Sequence, residues 1–189
     1  MRSNTLLNTL IDRRRFFKIG VQAALCSVFP VSAIASIDRL LMPERNLSLF
    51  NTHTGEKLDV CYYVQGQYQP EALERINYIF RDYRTEEITP IRKELLNLLY
   101  SISKKLDQTS RFHIISGYRS PETNAKLRKK SKYVVKNSLH IQGEAADIRV
   151  PDYDTRLLRK VCMKLKAGGV GYYRKSDFVH VDIGPVRHW

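Results

Sequence analysis

The sequence predicts an α+β domain in which a small antiparallel sheet is flanked by helices. Apolar residues recur at helical spacing in the first half of the chain, whereas short strand-like runs dominate the second half. These elements do not alternate regularly as strand and helix, which argues against a parallel α/β sheet. A chain of 189 residues, 43% of them hydrophobic, is long and apolar enough for one core of this kind.

The first half contains a predicted hairpin followed by two predicted helices. Apolar runs at 47–50 and 58–64 flank the turn-forming segment 51–56, which is typical of a hairpin. Pro70 can begin a helix, and Pro90 can begin a second one, because proline is well tolerated in the first turn. No metal ligand or nucleophile interrupts their apolar stripes, so we expect both helices to be packing elements.

The second half supplies most of the predicted sheet. The predicted strands cover 112–115, 145–150, 168–173 and 178–183, and the predicted helices cover 121–127 and 155–166. Between them, the segment 128–136 carries five basic residues and no acidic one. We expect that segment to be a solvated loop, or a surface that binds anionic peptides.

Residues 1–35 have the features of an export signal. The basic segment 12–18 contains paired arginines followed by Phe-Phe-Lys, an apolar run covers 19–29, and a small-residue pattern ends at Ala35. The paired arginines resemble the twin-arginine signal of bacteria. An amphipathic helix of the folded domain is the alternative. We expect cleavage near Ala35, a linker over 36–46 and a domain over 47–189.

Charge and cysteine content restrict the class of partner. The formal net charge is +13, and without residues 1–35, which hold five basic residues and one acidic residue, it is +9. This favours an anionic partner: nucleic acid, a membrane surface or an acidic polymer. No run of 18 apolar residues predicts a transmembrane segment. Cys61 and Cys162 could pair after export or remain buried thiols.

Polar residues that are costly to bury are concentrated in three segments, 116–120, 138–147 and 177–182. Two imidazoles and a carboxylate form a common catalytic zinc set, which leaves a fourth position for water. A turn between His140 and Asp147 would let both reach one ion, and His180 could join them from a neighbouring strand. Strand alternation places His180 and Asp182 on the same face.

These segments resemble a known family. The pattern Ser-x-His-x-x-Gly-x-Ala-x-Asp over 138–147, followed by acid-x-x-His over 177–180, is similar to that of the VanX and D-Ala-D-Ala carboxypeptidase zinc peptidases. Those enzymes share an α+β superfamily with lysostaphin-type and hedgehog-type domains. The Ser-Gly-Tyr-Arg-Ser segment fits as well. A closer resemblance, over essentially the whole chain, is to the twin-arginine-exported YcbK-type murein endopeptidases of Gram-negative bacteria. Its hallmark segments are 51–56, 80–84, 168–173 and 184–189.

The resemblance implies a role for each residue of the predicted site. His140, Asp147 and His180 would hold Zn²⁺, and Asp177 would be the general base. Arg119 would bind a substrate carboxylate or the oxyanion. Asp182 would orient a ligand, and Ser138 and Ser120 would support the ligands or contact substrate.

The resemblance also implies where the protein acts and on what. We expect a periplasmic, monomeric enzyme that hydrolyses peptide cross-links of peptidoglycan, since cross-linked stems carry several carboxylates that suit a basic protein. A D,D-carboxypeptidase or dipeptidase is one alternative, and a non-catalytic zinc-dependent wall-binding module is another. Nucleic-acid binding is disfavoured by the export signal. The roles of His113, His188 and Trp189 remain open at this point.

Overall fold

The computed structural model describes residues 42–106, 111–151 and 153–189. Residues Pro43–Trp189 form one unit. The predicted signal peptide lies outside the described residues. The predicted linker differs from the structure at its end, because the first strand begins at Arg45 rather than after Asn46.

The described residues form eight strands, four α-helices and one 3₁₀-helix. The strands are β1 (Arg45–Asn51), β2 (Lys57–Val64), β3 (Gln67–Tyr68), β4 (Phe112–Ser116), β5 (Ala145–Arg149), β6 (Gly169–Tyr173), β7 (Phe178–Asp182) and β8 (Arg187–His188). The α-helices are α1 (Pro70–Ile79), α2 (Lys93–Lys105), α3 (Pro121–Lys130) and α4 (Thr155–Leu165), and the 3₁₀-helix covers Leu139–Gln142.

The α+β class is confirmed, but the expected small antiparallel sheet is wrong in size and direction. The eight strands form one sheet in the order β3-β2-β1-β4-β5-β7-β6-β8. β4 pairs parallel with β1, and β8 pairs parallel with β6, while the other neighbours are antiparallel. The chain passes through α1 and α2 between β1 and β4, and such a long crossover is what parallel pairing requires. The two-residue strands β3 and β8 are too short to produce a periodic pattern.

The predicted helices form, although their ends differ from the expected ones. α1 begins at Pro70, as predicted. α2 begins at Lys93 rather than near Pro90, because Arg92 is extended, with φ of −61° and ψ of 132°, and is the N-cap. The two preceding backbone N–H groups bond outside the helix. The N–H of Ile91 donates to Asn77 Oδ1 at 2.8 Å, and the N–H of Arg92 donates to the Gly143 carbonyl at 3.0 Å. The second contact ties the start of α2 to the turn after the 3₁₀-helix.

Strand alternation divides the two central strands into a core face and a polar face. Ala146 and Ile148 of β5 pack in the hydrophobic core, as do Val179 and Val181 of β7. The intervening residues of both strands therefore point away from that core, and they include the carboxylates and the imidazole that the sequence singled out.

Neither cysteine in the described part of the chain is bonded to another. Cys61 is half-buried on β2 and Cys162 is buried on α4, and both are free thiols. Burial raises the pKa of the Cys162 thiol to about 12, so it is an inert packing residue. Among the described residues, no helix combines the length and the apolar character needed to cross a membrane.

Candidate metal centre

His140, Asp147 and His180, here called the donor triad, are brought together by two adjacent strands and the 3₁₀-helix. β5 and β7 pair antiparallel, and their register places Asp147 directly opposite His180. His140 reaches them from the 3₁₀-helix, which ends at Gly143 with φ of +68°. All three residues are buried, with 3%, 7% and 9% exposure for His140, Asp147 and His180.

The three donor atoms form a compact triangle. His180 Nδ1 lies 2.9 Å from Asp147 Oδ1, and His140 Nε2 lies 3.2 Å from His180 Nδ1 and 3.4 Å from Asp147 Oδ1. Tetrahedral zinc with bonds of about 2.0–2.1 Å requires ligand atoms roughly 3.3 Å apart. The nitrogen, nitrogen and oxygen donors therefore fit three corners of a zinc tetrahedron, and the fourth corner is left for water.

Each imidazole is oriented by a hydrogen bond at its other ring nitrogen. His140 Nδ1–H donates to the Gly117 carbonyl at 2.8 Å, which leaves the Nε2 lone pair for a metal. His180 Nε2–H donates to Asp182 Oδ2 at 2.9 Å, which fixes Nδ1 as its metal-facing atom. Hydrogen bonds of this kind set the tautomer and orientation of metal-binding histidines.

Asp182 is a fully buried carboxylate, with 0% exposure. It accepts hydrogen bonds from the backbone N–H groups of Gly169 and Gly184, at 3.0 and 2.9 Å. Arg187 donates to both of its oxygens, at 3.1 and 2.7 Å. Desolvation alone would raise the pKa of Asp182, but the hydrogen bonds from His180 and its other donors hold it well below its usual range.

The electrostatics of the triad favour cation binding. Burial raises the pKa of Asp147, but the two neighbouring imidazoles outweigh this and hold it well below its usual range. Burial lowers the pKa of His140. For His180, burial lowers the pKa, but hydrogen bonds to Asp147 and Asp182 outweigh this and raise it to about 9. His180 is thus flanked by two carboxylates, Asp147 and Asp182, and this arrangement favours positive charge at the triad.

Arg119 borders the triad and has donors to spare. Its Nη2 lies 3.8 Å from Asp147 Oδ2 and 3.4 Å from Ser116 Oγ, and its Nη1 lies 3.5 Å from Asn124 Oδ1. The side chain is only 13% exposed. Burial lowers the pKa of Arg119, while the charge of Asp147 raises it. Its five N–H donors thus have only long contacts, as expected of a guanidinium that can bind an added anionic group.

A family model described as peptidoglycan L,D-endopeptidase MepK matches residues 41–189. The chain belongs to this MepK family. It is 38% identical over 178 residues to the peptidoglycan L,D-endopeptidase MepK of Escherichia coli, an alignment that covers 94% of this chain and 97% of that protein. It is 35% identical over 179 residues to the probable peptidoglycan L,D-endopeptidase MepK of Haemophilus influenzae, with 94% and 95% covered. No solved structure shows significant similarity to the chain.

Asp177, expected from the sequence to be the general base, makes its described contacts with the start of α4 and with β5. Its carboxylate accepts a hydrogen bond from the Thr155 hydroxyl at 2.8 Å and lies 3.5 Å from Arg149 Nη1, with 56% of the side chain exposed. Asp177 occupies a turn with φ of +51° directly before β7. Its described hydrogen bond and ion pair do not include a donor atom of the triad, and its role as general base stays a prediction.

The two serines of the predicted site support the local backbone. Ser120 caps α3, because its Oγ accepts from the Thr123 N–H at 3.1 Å, and its own N–H donates to Asp82 Oδ2 at 2.9 Å. Ser138 is buried directly before the 3₁₀-helix, and its carbonyl accepts from the Ile141 N–H at 3.0 Å. Neither serine has a described hydrogen bond to a triad side chain.

Two hallmark segments of this MepK family member connect the first hairpin to the segment that carries Arg119. Arg81, whose side chain is 6% exposed, pairs with Glu56 at 2.8 Å and so joins the first hairpin to the segment after α1. Asp82 accepts from the N–H of Ser120, which positions the segment that carries Arg119. His53 stacks on Tyr83 with ring centroids 3.9 Å apart. Nothing in the sequence alone marked these residues as partners, although both segments were recognised as hallmarks.

The residues left open by the sequence fall into two groups. His113, on β4, packs against the Phe50 ring of the neighbouring strand β1, with centroids 4.7 Å apart. His188 is exposed on β8 and pairs with Val170. Trp189 instead lies beside the triad, 5.4 Å from the His180 ring. Sequence reasoning missed Arg187, whose contact with Asp182 depends on a two-residue strand that carries no periodic signal.

Proposed function

We propose that this protein is a zinc-dependent peptidoglycan endopeptidase that hydrolyses an L,D peptide bond of cross-linked stem peptides. The observation that carries this proposal is the buried triangle of His140 Nε2, His180 Nδ1 and Asp147 Oδ1, with edges of 2.9–3.4 Å. Membership of the MepK family supports the choice of peptidoglycan as substrate, and the L,D bond is the one that the names of the relatives specify.

The residues present suit zinc chemistry. Zinc bound by the triad would act as a Lewis acid and would lower the pKa of a water ligand towards about 7. His140 and His180 supply neutral nitrogen donors, and Asp147 supplies one carboxylate oxygen. Asp182 holds the proton on His180 Nε2, so that Nδ1 keeps a free lone pair towards the ion.

Arg119 is proposed to bind the negative charge of the substrate or of the reacting carbonyl oxygen. Its Nη2 lies 3.8 Å from Asp147 Oδ2, and a guanidinium can bind a carboxylate through two parallel hydrogen bonds. Arg84 lines the same pocket as Arg119 and stacks over Tyr83 at 4.1 Å. The ion pairs formed among the described residues do not include Arg84, so this second guanidinium is available for a further carboxylate of the stem peptide.

Export and state of assembly belong to the same proposal. Residues 1–35 act as a twin-arginine signal, and the domain that follows works as a monomer in the periplasm, where peptidoglycan is found. Lysine in place of both Arg13 and Arg14 should keep the protein in the cytoplasm. Normal export of that variant would contradict the twin-arginine route.

The decisive experiment is digestion of defined cross-linked muropeptide dimers. Zinc-loaded protein should convert dimers joined by an L,D bond into monomers, as followed by chromatography and mass spectrometry. Dimers joined by a D,D bond serve as the specificity control, and the His180→Ala variant serves as the metal-site control. Release of free D-Ala from monomeric pentapeptide with both dimers intact would favour the carboxypeptidase alternative. Zinc-dependent binding to peptidoglycan without any cleavage would favour a binding module.

A further inference from the structure

A half-exposed indole lies directly beside one of the proposed metal ligands. The Trp189 ring is 5.4 Å from the His180 ring, at an interplanar angle of 44°. Its backbone extends the edge of the sheet, since its N–H donates to the Val170 carbonyl at 3.2 Å and its carbonyl accepts from the Tyr172 N–H at 3.1 Å. Yet 48% of the residue remains exposed. A large aromatic side chain is thus presented to solvent at the rim of the triad.

Three contacts fix the indole in this position. Its Nε1–H donates to the Tyr173 hydroxyl at 3.2 Å, and the Arg187 guanidinium lies 5.2 Å from the ring centroid. The third contact is with the backbone of Gly171, where a Cβ atom would lie 2.6 Å from Trp189 Cε2 and 2.7 Å from Cζ2. Only glycine at position 171 leaves room for the ring, so the sequence of β6 is matched to an indole at this place.

The donor triad and Arg119 supply no apolar surface of this kind. The donor triad and Arg119 are all polar, and they can bind the reacting amide and a carboxylate but not methylene groups. Small-molecule and peptide sites combine a few polar groups with apolar or aromatic walls. A rigid aromatic ring provides such a wall at little cost in conformational entropy.

We propose that Trp189 is a substrate-contacting residue that forms the apolar wall of the metal site and packs against the aliphatic part of the peptide beside the scissile bond. This inference rests on the proposed function, because the peptide is the substrate assigned there. Arg187 contacts the indole and also Asp182, the residue that orients the ligand His180. It therefore supports both the apolar wall and the metal site.

The KM and kcat of three variants test whether Trp189 forms this apolar wall. Trp189→Ala should raise KM about tenfold or more with little change in kcat, because roughly 100 Å² of indole surface is no longer buried by the substrate. Trp189→Phe should restore most of the affinity. Gly171→Ala keeps the tryptophan but displaces its ring, so KM should rise again. Tyr78→Ala is the matched control, since Tyr78 is 49% exposed and lies on α1, and its KM should be unchanged.

Fluorescence gives a readout that does not require turnover. The sequence contains one tryptophan, so all indole emission comes from Trp189. Paramagnetic Co²⁺ added to zinc-free protein should quench this emission, and the His140→Ala variant should abolish the quenching. Cross-linked peptide added to zinc-free protein should shift the emission to shorter wavelength, because substrate buries the exposed half of the ring.

The outcomes separate this inference from the function on which it rests. No peptidase activity in zinc-loaded wild-type protein would overturn the proposed function, and the substrate wall with it. Activity combined with an unchanged KM in Trp189→Ala would overturn the wall alone. A loss confined to kcat would also overturn it, because that result would assign Trp189 to positioning His180. Thermal melting of each variant identifies any that fail to fold, and Trp189→Phe then carries the kinetic comparison.

Discussion

Replacement of Asp182 by asparagine tests how the metal site is oriented. Asp182 is fully buried and accepts five hydrogen bonds: from the N–H groups of Gly169 and Gly184, twice from Arg187, and from His180 Nε2. Asparagine keeps the shape of the side chain but replaces one acceptor oxygen by an NH₂ donor. The substitution therefore removes charge and, without opening a cavity, replaces by a donor the oxygen Oδ2 that accepts from His180 Nε2 and Arg187 Nη2.

The new NH₂ donor changes which ring nitrogen of His180 carries the proton. Asparagine can satisfy Gly169 and Gly184 only by keeping its oxygen towards their N–H groups, so its NH₂ group then faces His180 Nε2. That nitrogen must become an acceptor, and the proton of neutral His180 moves to Nδ1. Nδ1 is the atom 2.9 Å from Asp147 Oδ1, so its lone pair is lost to the metal. The Asp182→Asn variant should fold but bind zinc poorly.

The expected loss is about 10- to 100-fold in zinc affinity, or about 1.4–2.7 kcal/mol, as for other residues that orient metal-binding histidines. Competition for zinc with a chromophoric chelator at pH 7.5 measures it, and circular dichroism checks the fold. Asp177→Asn is the matched control, because it makes the same chemical change outside the triad. Zinc affinity within about threefold of wild type in folded Asp182→Asn would refute the orienting role of Asp182.

Four further results are expected. Alanine in place of any one triad residue should abolish stoichiometric zinc binding, as measured by metal analysis; full zinc content in all three variants would refute the ligand assignment. Asp177→Asn should retain turnover within about threefold if its described contacts with Thr155 and Arg149 are its only role, whereas a loss of about 10²–10⁴-fold would support the predicted role as general base. Glu56→Gln should lower the melting temperature at neutral pH but much less near pH 3. The Arg81 hydrogen bond holds the pKa of Glu56 below its usual range, so the stabilisation from this carboxylate is lost as the pH falls through that pKa. An equal drop in melting temperature at both pH values would contradict this. Ser120→Ala should cost about 1 kcal/mol of unfolding free energy through loss of the α3 cap, and an unchanged denaturant midpoint would exclude that cap as a stabilising contact.

The sequence predicted most of the fold because its signals are local. Helix and strand periodicity located the four helices and the six longer strands, and proline placed the start of α1 correctly. The parallel pairing of β4 with β1 could not be predicted in this way, since it depends on a crossover through two helices. β8 also could not be predicted from the sequence, because two residues cannot show a periodic pattern. Yet this strand contains Arg187, which donates to the Asp182 carboxylate.

The predicted site illustrates the same limit. The three triad residues were identified by residue type, spacing and family resemblance, and the register of β5 and β7 explains why two of them meet. The spacing of Asp177 from His180 looked equally informative, but spacing does not specify a turn. A positive φ at Asp177 directs its carboxylate to Thr155 and Arg149. Whether an acid three residues before a ligand acts at the same ion depends on the turn between them, which spacing alone does not describe.

The arrangement around His180 explains why the segment after β7 belongs to the site. A buried imidazole that binds a cation through Nδ1 needs an acceptor at Nε2, and Asp182 provides it from the same strand face. A carboxylate with no exposure needs donors of its own, and only the chain beyond β7 can bring Arg187 and the Gly184 N–H to it. The same segment then carries the indole of Trp189 past Gly171 to the rim of the triad. Because one short segment satisfies Asp182 and presents Trp189, a substitution at Arg187 should disturb metal affinity and the position of the indole together.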